Sequence, residues 1–167
     1  MALETKLADI LFHNTGSTTA LLEAITGEKV QVEILQEGGY QNEKLSLEFS
    51  WSESLILRVT KLKIGTKTLS YNVVLYDPKK TALFQRELSY LNSPIGKLLE
   101  QIDSRRIVTC TSWRKPDEMN EFYPFGQLLR EETYPTKTYH YLHDSKVLFY
   151  IFEIYNIKTL NQYFDAK

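Results

Sequence analysis

Apolar and polar positions alternate along several short stretches of the chain, with the two-residue period of a β-strand. Val30, Val32 and Ile34 alternate with more polar neighbours, and the later stretches are rich in β-branched and aromatic residues, which favour strands. The sequences GTK and HDSK separate neighbouring stretches and predict hairpin turns. Strands are predicted over residues 30–36, 55–64, 68–76, 106–113, 137–142 and 147–155.

Other segments have apolar positions three and four residues apart, the spacing of an amphipathic helix. Ser17 is a predicted N-cap and Gly27 a predicted C-terminal stop, and Ser93, followed by a proline, predicts another helix start. Residues 38–50 are predicted to be a loop, and the polar segment after Ile157 is expected to fray. Helices are predicted over residues 3–13, 18–26, 83–91 and from 93 to about 102.

The order of these elements predicts the fold class. Helices at the start, followed by a strand-rich body with hairpin connections, indicate an α+β fold with a mainly antiparallel sheet. The chain has 167 residues, enough for one hydrophobic core, and it contains no internal repeat, low-complexity segment or clear linker. We therefore expect a single domain over residues 1–167.

Charge and cysteine content exclude several classes of protein. The formal net charge of −1 provides no general attraction to nucleic acid or to an anionic membrane. The single cysteine, Cys110, cannot form an internal disulfide, which fits a reducing compartment. No signal peptide is visible, and no apolar run approaches the roughly 20 residues of a membrane span. We expect a soluble cytoplasmic protein, and nothing in the sequence requires more than a monomer.

Sequence motifs for metal or nucleotide chemistry are absent. His13, His140 and His143 are scattered, and Cys110 has no second cysteine to form a metal-binding pair. There is no Walker loop, no GxGxxG sequence and no nucleophile elbow. The sequence therefore predicts neither a metal site nor nucleotide binding.

Two charged residues interrupt apolar strands and are the candidates for chemistry. Glu153 lies in VLFYIFEIYN and Arg58 in SLILRVTKL, each on the same strand face as apolar neighbours. A buried charge is costly unless it is paired or faces a polar cavity. A shared ligand site is one interpretation, and a structural ion pair in a packed core, or an edge position open to water, is the other.

The turn SPIGK adds a third element. A helix that begins there offers free backbone N–H groups to a carboxylate, although a plain helix start is common. An arginine, a helix N-terminus and a glutamate able to carry a proton would together suit a small dianionic ligand.

Four segments of the chain carry a wider similarity. GSTTALLEAITGEKVQVEIL, LILRVTKL, SPIGKLLE and LFYIFEIY occur in this order and span residues 16–155. This order resembles the chorismate lyase (chorismate–pyruvate lyase) family, including the branch long described as a domain of unknown function in cyanobacteria, archaea and plastids. The resemblance implies a six-stranded antiparallel sheet with helices packed on it, enclosing a buried ligand cavity.

The resemblance also implies an activity and the residues that perform it. The family removes pyruvate from chorismate to give 4-hydroxybenzoate, a quinone precursor, without a metal or an organic cofactor. Glu153 matches the catalytic glutamate and Arg58 the ligand-binding arginine that acts with it. Ile95, followed by Gly96, matches the turn whose backbone amide meets the ligand, and Thr18 matches a ligand-contacting position of the first helix segment. A closed cavity around Glu153 would keep a proton available for transfer.

The sequence departs from the family pattern at two places. Thr15 stands where members often have an acidic residue, and Lys137 stands in a strand where they often have arginines. Arg130 is either a substitute for the missing charge or simply a solvated charge. The alternative function is a non-catalytic domain of the same fold that binds a small aromatic carboxylate. Transcription regulators with such sensors carry a helix-turn-helix domain ahead of the sensor, for which the residues before the first segment are too few.

Overall fold

The computed structural model describes residues 2–88, 99 and 104–165, and it confirms the α+β class with a six-stranded antiparallel sheet. Each predicted strand is present, and most are longer than the apolar pattern indicated, because their ends carry polar residues that the pattern excludes. The strands are β1 (Gln31–Tyr40), β2 (Leu55–Ile64), β3 (Lys67–Tyr76), β4 (Arg105–Arg114), β5 (Tyr134–His143) and β6 (Lys146–Tyr155).

The sheet consists of two antiparallel three-stranded meanders joined edge to edge. Its strand order is β1-β2-β3-β6-β5-β4, and each neighbouring pair is antiparallel. The chain thus brings β3 and β6 together at the centre, where both sheet faces can be covered, while β1 and β4 form the two outer edges.

Tight turns fix the register of the two hairpins that frame this centre. Gly65 adopts a φ of 57° in the turn between β2 and β3, a conformation that costs glycine little. Asp144 and Ser145 have φ values of 49° and 62° between β5 and β6. Two such residues give the turn a twist that matches the right-handed twist of the strands. The hairpins predicted at GTK and HDSK are both confirmed.

Helices cover the sheet, and α2 has the bounds predicted from the sequence. The Ser17 hydroxyl accepts a hydrogen bond from the backbone N–H of Ala20 (3.2 Å), and Gly27 ends the helix at a φ of 73°. In the described part of the chain, no helix is long and apolar enough to cross a membrane. The helices are α1 (Ala2–His13), α2 (Thr18–Thr26), α3 (Glu43–Phe49), α4 (Gln85–Leu88), α5 (Phe125–Leu128) and α6 (Ile157–Asp165), with 3₁₀ turns at Ala82–Phe84 and Pro116–Met119.

The loop predicted over residues 38–50 is wrong. The glycine pair before Tyr40 continues β1, whose pairing with β2 extends to the contact of Tyr40 with Leu55. Helix α3 then begins after Asn42, whose side-chain oxygen accepts from the N–H of Leu45 at 3.0 Å. A short helix with a single well-buried leucine leaves little periodicity to detect, so its N-cap was the more informative signal.

The expectation that the segment after Ile157 frays is also wrong. Residues Ile157–Asp165 form α6, with the side chain of Asn156 accepting from the N–H of Thr159 at 3.3 Å. Leu160 is fully buried in this helix. The segment is polar on average but amphipathic, and its apolar face provides the packing that holds the helix.

The helix predicted over residues 83–91 is present in part, as the 3₁₀ turn Ala82–Phe84 and the short helix α4. The remainder of that prediction lies outside the described residues, as does the helix predicted to begin at Ser93 apart from Leu99, which is helical and buried.

The two faces of the sheet carry different cores. One face packs under α3 and α5, with Leu57, Val59, Val73 and Leu75 pointing into it. The opposite face packs under α1, α2 and α6, and its core includes apolar residues from all three helices. A further apolar cluster lies on this second face beyond the helices, towards the far end of β3, β5 and β6. Polar side chains are buried between these two clusters.

Candidate active site

The sheet register places a row of polar side chains on one face. Asn72 on β3 lies directly opposite Glu153 on β6, and Glu153 lies directly opposite Lys137 on β5. Thr60 on β2 continues the row through its pairing with Asn72. Arg58 shares the face with Thr60, since alternate residues of a strand point the same way. We call the face that carries Arg58, Asn72, Lys137 and Glu153 the site face.

Glu153 is the most heavily bonded group on the site face. Its side chain is only 3% exposed, and three hydroxyl groups donate to it. Tyr139 donates to Oε1 at 2.8 Å, Thr18 donates to Oε2 at 3.0 Å, and Tyr155 also donates to Oε2. A carboxylate offers about four acceptor positions, so these bonds leave one, on Oε1, for another group.

The two tyrosines are dependable donors because they stay protonated. Burial, reinforced by the negative charge of Glu153, raises the pKa of Tyr139 well above the ordinary value of a phenol, and the same causes act on Tyr155. Both hydroxyls therefore keep the protons that they donate to Glu153.

Helix α2 brings Thr18 to the carboxylate. Ser17 caps the helix, so Thr18 is its first residue, and both side chains are buried. The N-terminal end of a helix carries a partial positive charge, which suits a nearby carboxylate. The cap that was predicted from the sequence thus has a consequence for the site: it fixes the end of α2 against β6.

Arg58 lies two strands from Glu153, a spacing of about 10 Å between β2 and β6. Its side chain is 3% exposed, and its Nε lies 3.3 Å from Oε2 of Glu37, which is its partner on β1. Glu37 is itself partly exposed at the sheet edge. The structure thus places Arg58 and Glu153 on one face, as expected, but they are not joined as an ion pair: Arg58 contacts Glu37.

Lys137 is fully buried beside Glu153. Its ammonium donates to the backbone carbonyls of Leu11 (3.0 Å) and Asn14 (2.5 Å), at the C-terminal end of α1 and the turn that follows. Burial lowers the pKa of Lys137 to about 8, and the charge of Glu153 opposes part of that effect. Lys137 therefore ties the connection between α1 and α2 to the centre of the sheet.

Arg106 is a functional candidate that the sequence analysis did not single out. Its guanidinium lies over the rings of Tyr139 and Tyr141, at 4.2 and 5.1 Å from Cζ to the ring centroids. Its Nε and Nη2 donate to the hydroxyl of Tyr141 at 3.1 and 2.5 Å. The sequence feature that could have indicated a site here is the pair Tyr139 and Tyr141, two residues apart in β5. Both side chains point to the same face as Glu153.

Two buried polar atoms on the site face have no hydrogen-bond partner within the described residues. One is the side-chain oxygen of Asn72, directly opposite Glu153, and the other is Nη1 of Arg106. Buried polar groups are almost always paired in folded proteins. An unpaired acceptor and an unpaired guanidinium nitrogen make this face the candidate position for a polar ligand.

The other residues expected at the site have different outcomes. Ile95 and Gly96 lie outside the described residues. Arg130 is exposed, and Tyr134, which donates to its carbonyl, packs in the core of the opposite face. Arg130 therefore does not replace the strand arginines of the family. Within the described ranges, no group of three or more His, Cys, Asp or Glu side chains is placed to hold a metal ion.

Solved structures show what this fold is similar to. The effector domain of PhnF from Mycobacterium smegmatis is 12% identical with a TM-score of 0.65, covering 85% of this chain and 89% of that one. Against the longer PhnF structure, also 12% identical, the TM-score is 0.63 and the match covers 86% of this chain but only 64% of that one. The C-terminal domain of the histidine utilization repressor from Pseudomonas syringae pv. tomato str. DC3000 is 9% identical with a TM-score of 0.54, covering 76% and 91%. At such identities the likeness concerns the fold alone.

Sequence comparison gives the family. A comparison with curated protein sequences finds no match. The model of a family described as chorismate pyruvate-lyase, Rv2949c-like, matches residues 12–164, a span that runs from the end of α1 into α6 and includes every strand of the sheet. The chain therefore belongs to the Rv2949c-like chorismate pyruvate-lyase family.

Proposed function

We propose that this protein is a chorismate lyase, which eliminates pyruvate from chorismate and releases 4-hydroxybenzoate without a cofactor. The observation that carries the proposal is the Glu153 carboxylate, buried at the centre of the sheet and held by the hydroxyls of Thr18, Tyr139 and Tyr155. A purely structural carboxylate would be expected to pair with a cation, and here Lys137, directly opposite on β5, donates to backbone carbonyls instead.

The reaction needs little from the protein beyond orientation and one proton transfer. The proton leaves the ring carbon that bears the hydroxyl, and the bond from the adjacent carbon to the ether oxygen breaks as the ring becomes aromatic. Enolpyruvate departs and takes up a proton to become pyruvate. Glu153 accepts the ring proton at the remaining position on Oε1, and the same group can return it to the departing enolpyruvate.

The polar groups around Glu153 match the rest of the substrate. Chorismate is a dianion with one ring hydroxyl, and Arg58 supplies a buried positive charge for a carboxylate on the same face. The unpaired oxygen of Asn72, directly opposite Glu153, is available to accept from the ring hydroxyl. With both contacts made, the reacting ring carbon would lie beside the Glu153 carboxylate.

A second candidate function follows from the fold. The effector domain of PhnF has a similar fold. By analogy, this chain would bind a small ligand without converting it. The two candidates share a ligand site and differ in whether the ligand is consumed.

One experiment separates them. The purified protein is incubated with chorismate, and pyruvate and 4-hydroxybenzoate are quantified together for the wild type, Glu153→Gln and the exposed control Glu53→Gln. Equimolar products in the wild type and the control, lost in Glu153→Gln, support the lyase. Products that never exceed the spontaneous background, together with saturable binding of chorismate, favour the binding domain. Product release that survives in Glu153→Gln contradicts the role given to Glu153.

A further inference from the structure

Two arginines lie on opposite sides of Glu153 on the site face, each two strands away. In the strand order, β2 with Arg58 lies two strands to one side of β6, and β4 with Arg106 lies two strands to the other. Arg106 pairs with Tyr141 across β4 and β5, so it faces the same side as that tyrosine and as Tyr139. The Glu153 carboxylate thus has an arginine-bearing strand on each side of it.

The guanidinium of Arg106 is held in place, but not all of its nitrogens are hydrogen-bonded within the described residues. Two of its nitrogens donate to the Tyr141 hydroxyl, and its plane lies over the ring of Tyr139. Its Nη1 is buried and has no partner among the described residues. A guanidinium presents its donors as a rigid fork suited to carboxylates, so the open nitrogen of an anchored Arg106 is ready for an anionic group.

The side chain of Arg106 lies against a direct hydrogen-bond partner of the reacting carboxylate. The Tyr139 ring under its guanidinium carries the hydroxyl that donates to Glu153, so a single ring separates the two groups. Arg58 instead has its Nε beside Glu37, towards the sheet edge at β1. The two arginines therefore serve different ends of a ligand that extends across the sheet.

We propose that Arg106 is a substrate-binding residue that holds the enolpyruvyl carboxylate of chorismate, while Arg58 holds the ring carboxylate. This assignment rests on the proposed function. Glu153 acts at the hydroxyl-bearing carbon, next to the carbon that the ether leaves and away from the ring carboxylate. The carboxylate nearest to Glu153 is then the one on the enolpyruvyl group, and Arg106 is the arginine that lies against the Glu153 donor Tyr139.

The assignment separates substrate from product. Chorismate has both carboxylates, whereas 4-hydroxybenzoate retains only the ring carboxylate. Loss of Arg106 should therefore weaken the binding of chorismate and leave the binding of 4-hydroxybenzoate unchanged. A residue that only positioned Tyr139, or only stabilised the fold, would not distinguish the two ligands.

The test uses calorimetric titration in the Glu153→Gln background, in which chorismate is not consumed. Both ligands are titrated into the protein with Arg106 intact, with Arg106→Met, with Arg106→Lys and with the control Arg105→Met, whose side chain is exposed on the neighbouring position. We expect Arg106→Met to weaken chorismate binding by about 10- to 100-fold, the usual effect of losing a charge-assisted contact. Arg106→Lys should lose less, and Arg105→Met should change neither ligand.

The other outcomes are distinguishable from one another. Equal weakening of both ligands assigns Arg106 to structure or to the ring carboxylate, and no weakening of either removes it from the site. If the protein with Arg106 intact is folded but binds no chorismate, the proposed function fails and the assignment with it. If chorismate binding depends on Arg106 but the wild type releases no pyruvate, the assignment stands and only catalysis is lost.

Discussion

Lys137 and Glu153 lie directly opposite each other on β5 and β6, and both side chains are buried on the site face. The lysine ammonium donates to the carbonyls of Leu11 and Asn14. Glu153 is the proposed proton acceptor, and Lys137 binds the connection between α1 and α2 that precedes Thr18. The pair thus couples the site to the packing of α1 and α2.

The buried lysine predicts a pH dependence of stability. Its pKa is about 8 in the folded protein and near 10.5 when exposed, so between these values the unfolded chain binds more protons than the folded one. The free energy of unfolding therefore gains, from this residue, up to about 2 kcal/mol as the pH rises from about 8 to about 10. Below about pH 8 both states carry the proton, and the contribution of Lys137 is constant.

Urea unfolding of the wild type and Lys137→Met over this range measures the effect. The difference in unfolding free energy, wild type minus variant, should rise with pH above about 8 and be flat below it. Lys80→Met, which removes an exposed lysine, should show no such rise. Parallel curves for the wild type and Lys137→Met would mean that the lysine does not titrate within the window.

Substitution of Thr18 should reduce turnover, whereas substitution of the neighbouring Thr19 should not. Thr18→Val keeps the shape of the side chain but removes the donor 3.0 Å from Glu153, so the carboxylate loses one of its three restraints. We expect pyruvate release to slow about 10-fold with little change in folding, the usual scale for one hydrogen bond to a charged group.

Thr19→Val is the matched control for Thr18→Val. Thr19 is equally buried in α2 but makes no side-chain hydrogen bond in the described part of the chain. Equal slowing in both variants would assign the effect to the packing of the helix and not to Glu153.

The central features of the fold could be predicted from local signals. Ser17 and Gly27 defined α2, because a capping side chain and a residue with positive φ act within a few residues of sequence. Glu153 and Arg58 were recognisable because a charge inside an apolar strand is costly and demands an explanation. Local chemistry therefore sufficed for the strands, for α2 and for two residues on the site face, but it missed α3 and α6.

The bonding around Glu153 could not be predicted in the same way. Tyr139, Tyr155 and Arg106 meet the glutamate only through the pairing of β4, β5 and β6, and tyrosines in strands are ordinary core residues. Lys137 was noted as a departure from the family pattern, but its contact with Asn14 joins parts of the chain that are 123 residues apart. Such contacts follow from register and helix placement, which no local pattern encodes.

Helix α6 predicts a substantial contribution to stability from a segment that had been expected to fray. Leu160 is fully buried against the core formed with α1 and α2, so Leu160→Ala should lower the free energy of unfolding by about 2–4 kcal/mol. Phe164→Ala, in the same helix but with its ring 39% exposed, should cost clearly less. Chemical denaturation of both variants tests this, and similar small losses would indicate that α6 contributes little.

Loss of Arg58 should affect both ligands, whereas loss of Arg106 should affect chorismate alone. If Arg58 holds the ring carboxylate, Arg58→Met removes a contact common to chorismate and 4-hydroxybenzoate. Both should bind about 10- to 100-fold more weakly in the Glu153→Gln background. Glu37→Gln is the control, because it removes the acid that contacts Arg58 while keeping the guanidinium, and it should not weaken either ligand. Weakening of chorismate alone in Arg58→Met would exchange the roles of the two arginines, whereas weakening by Glu37→Gln would mean that this pair orients Arg58 for binding.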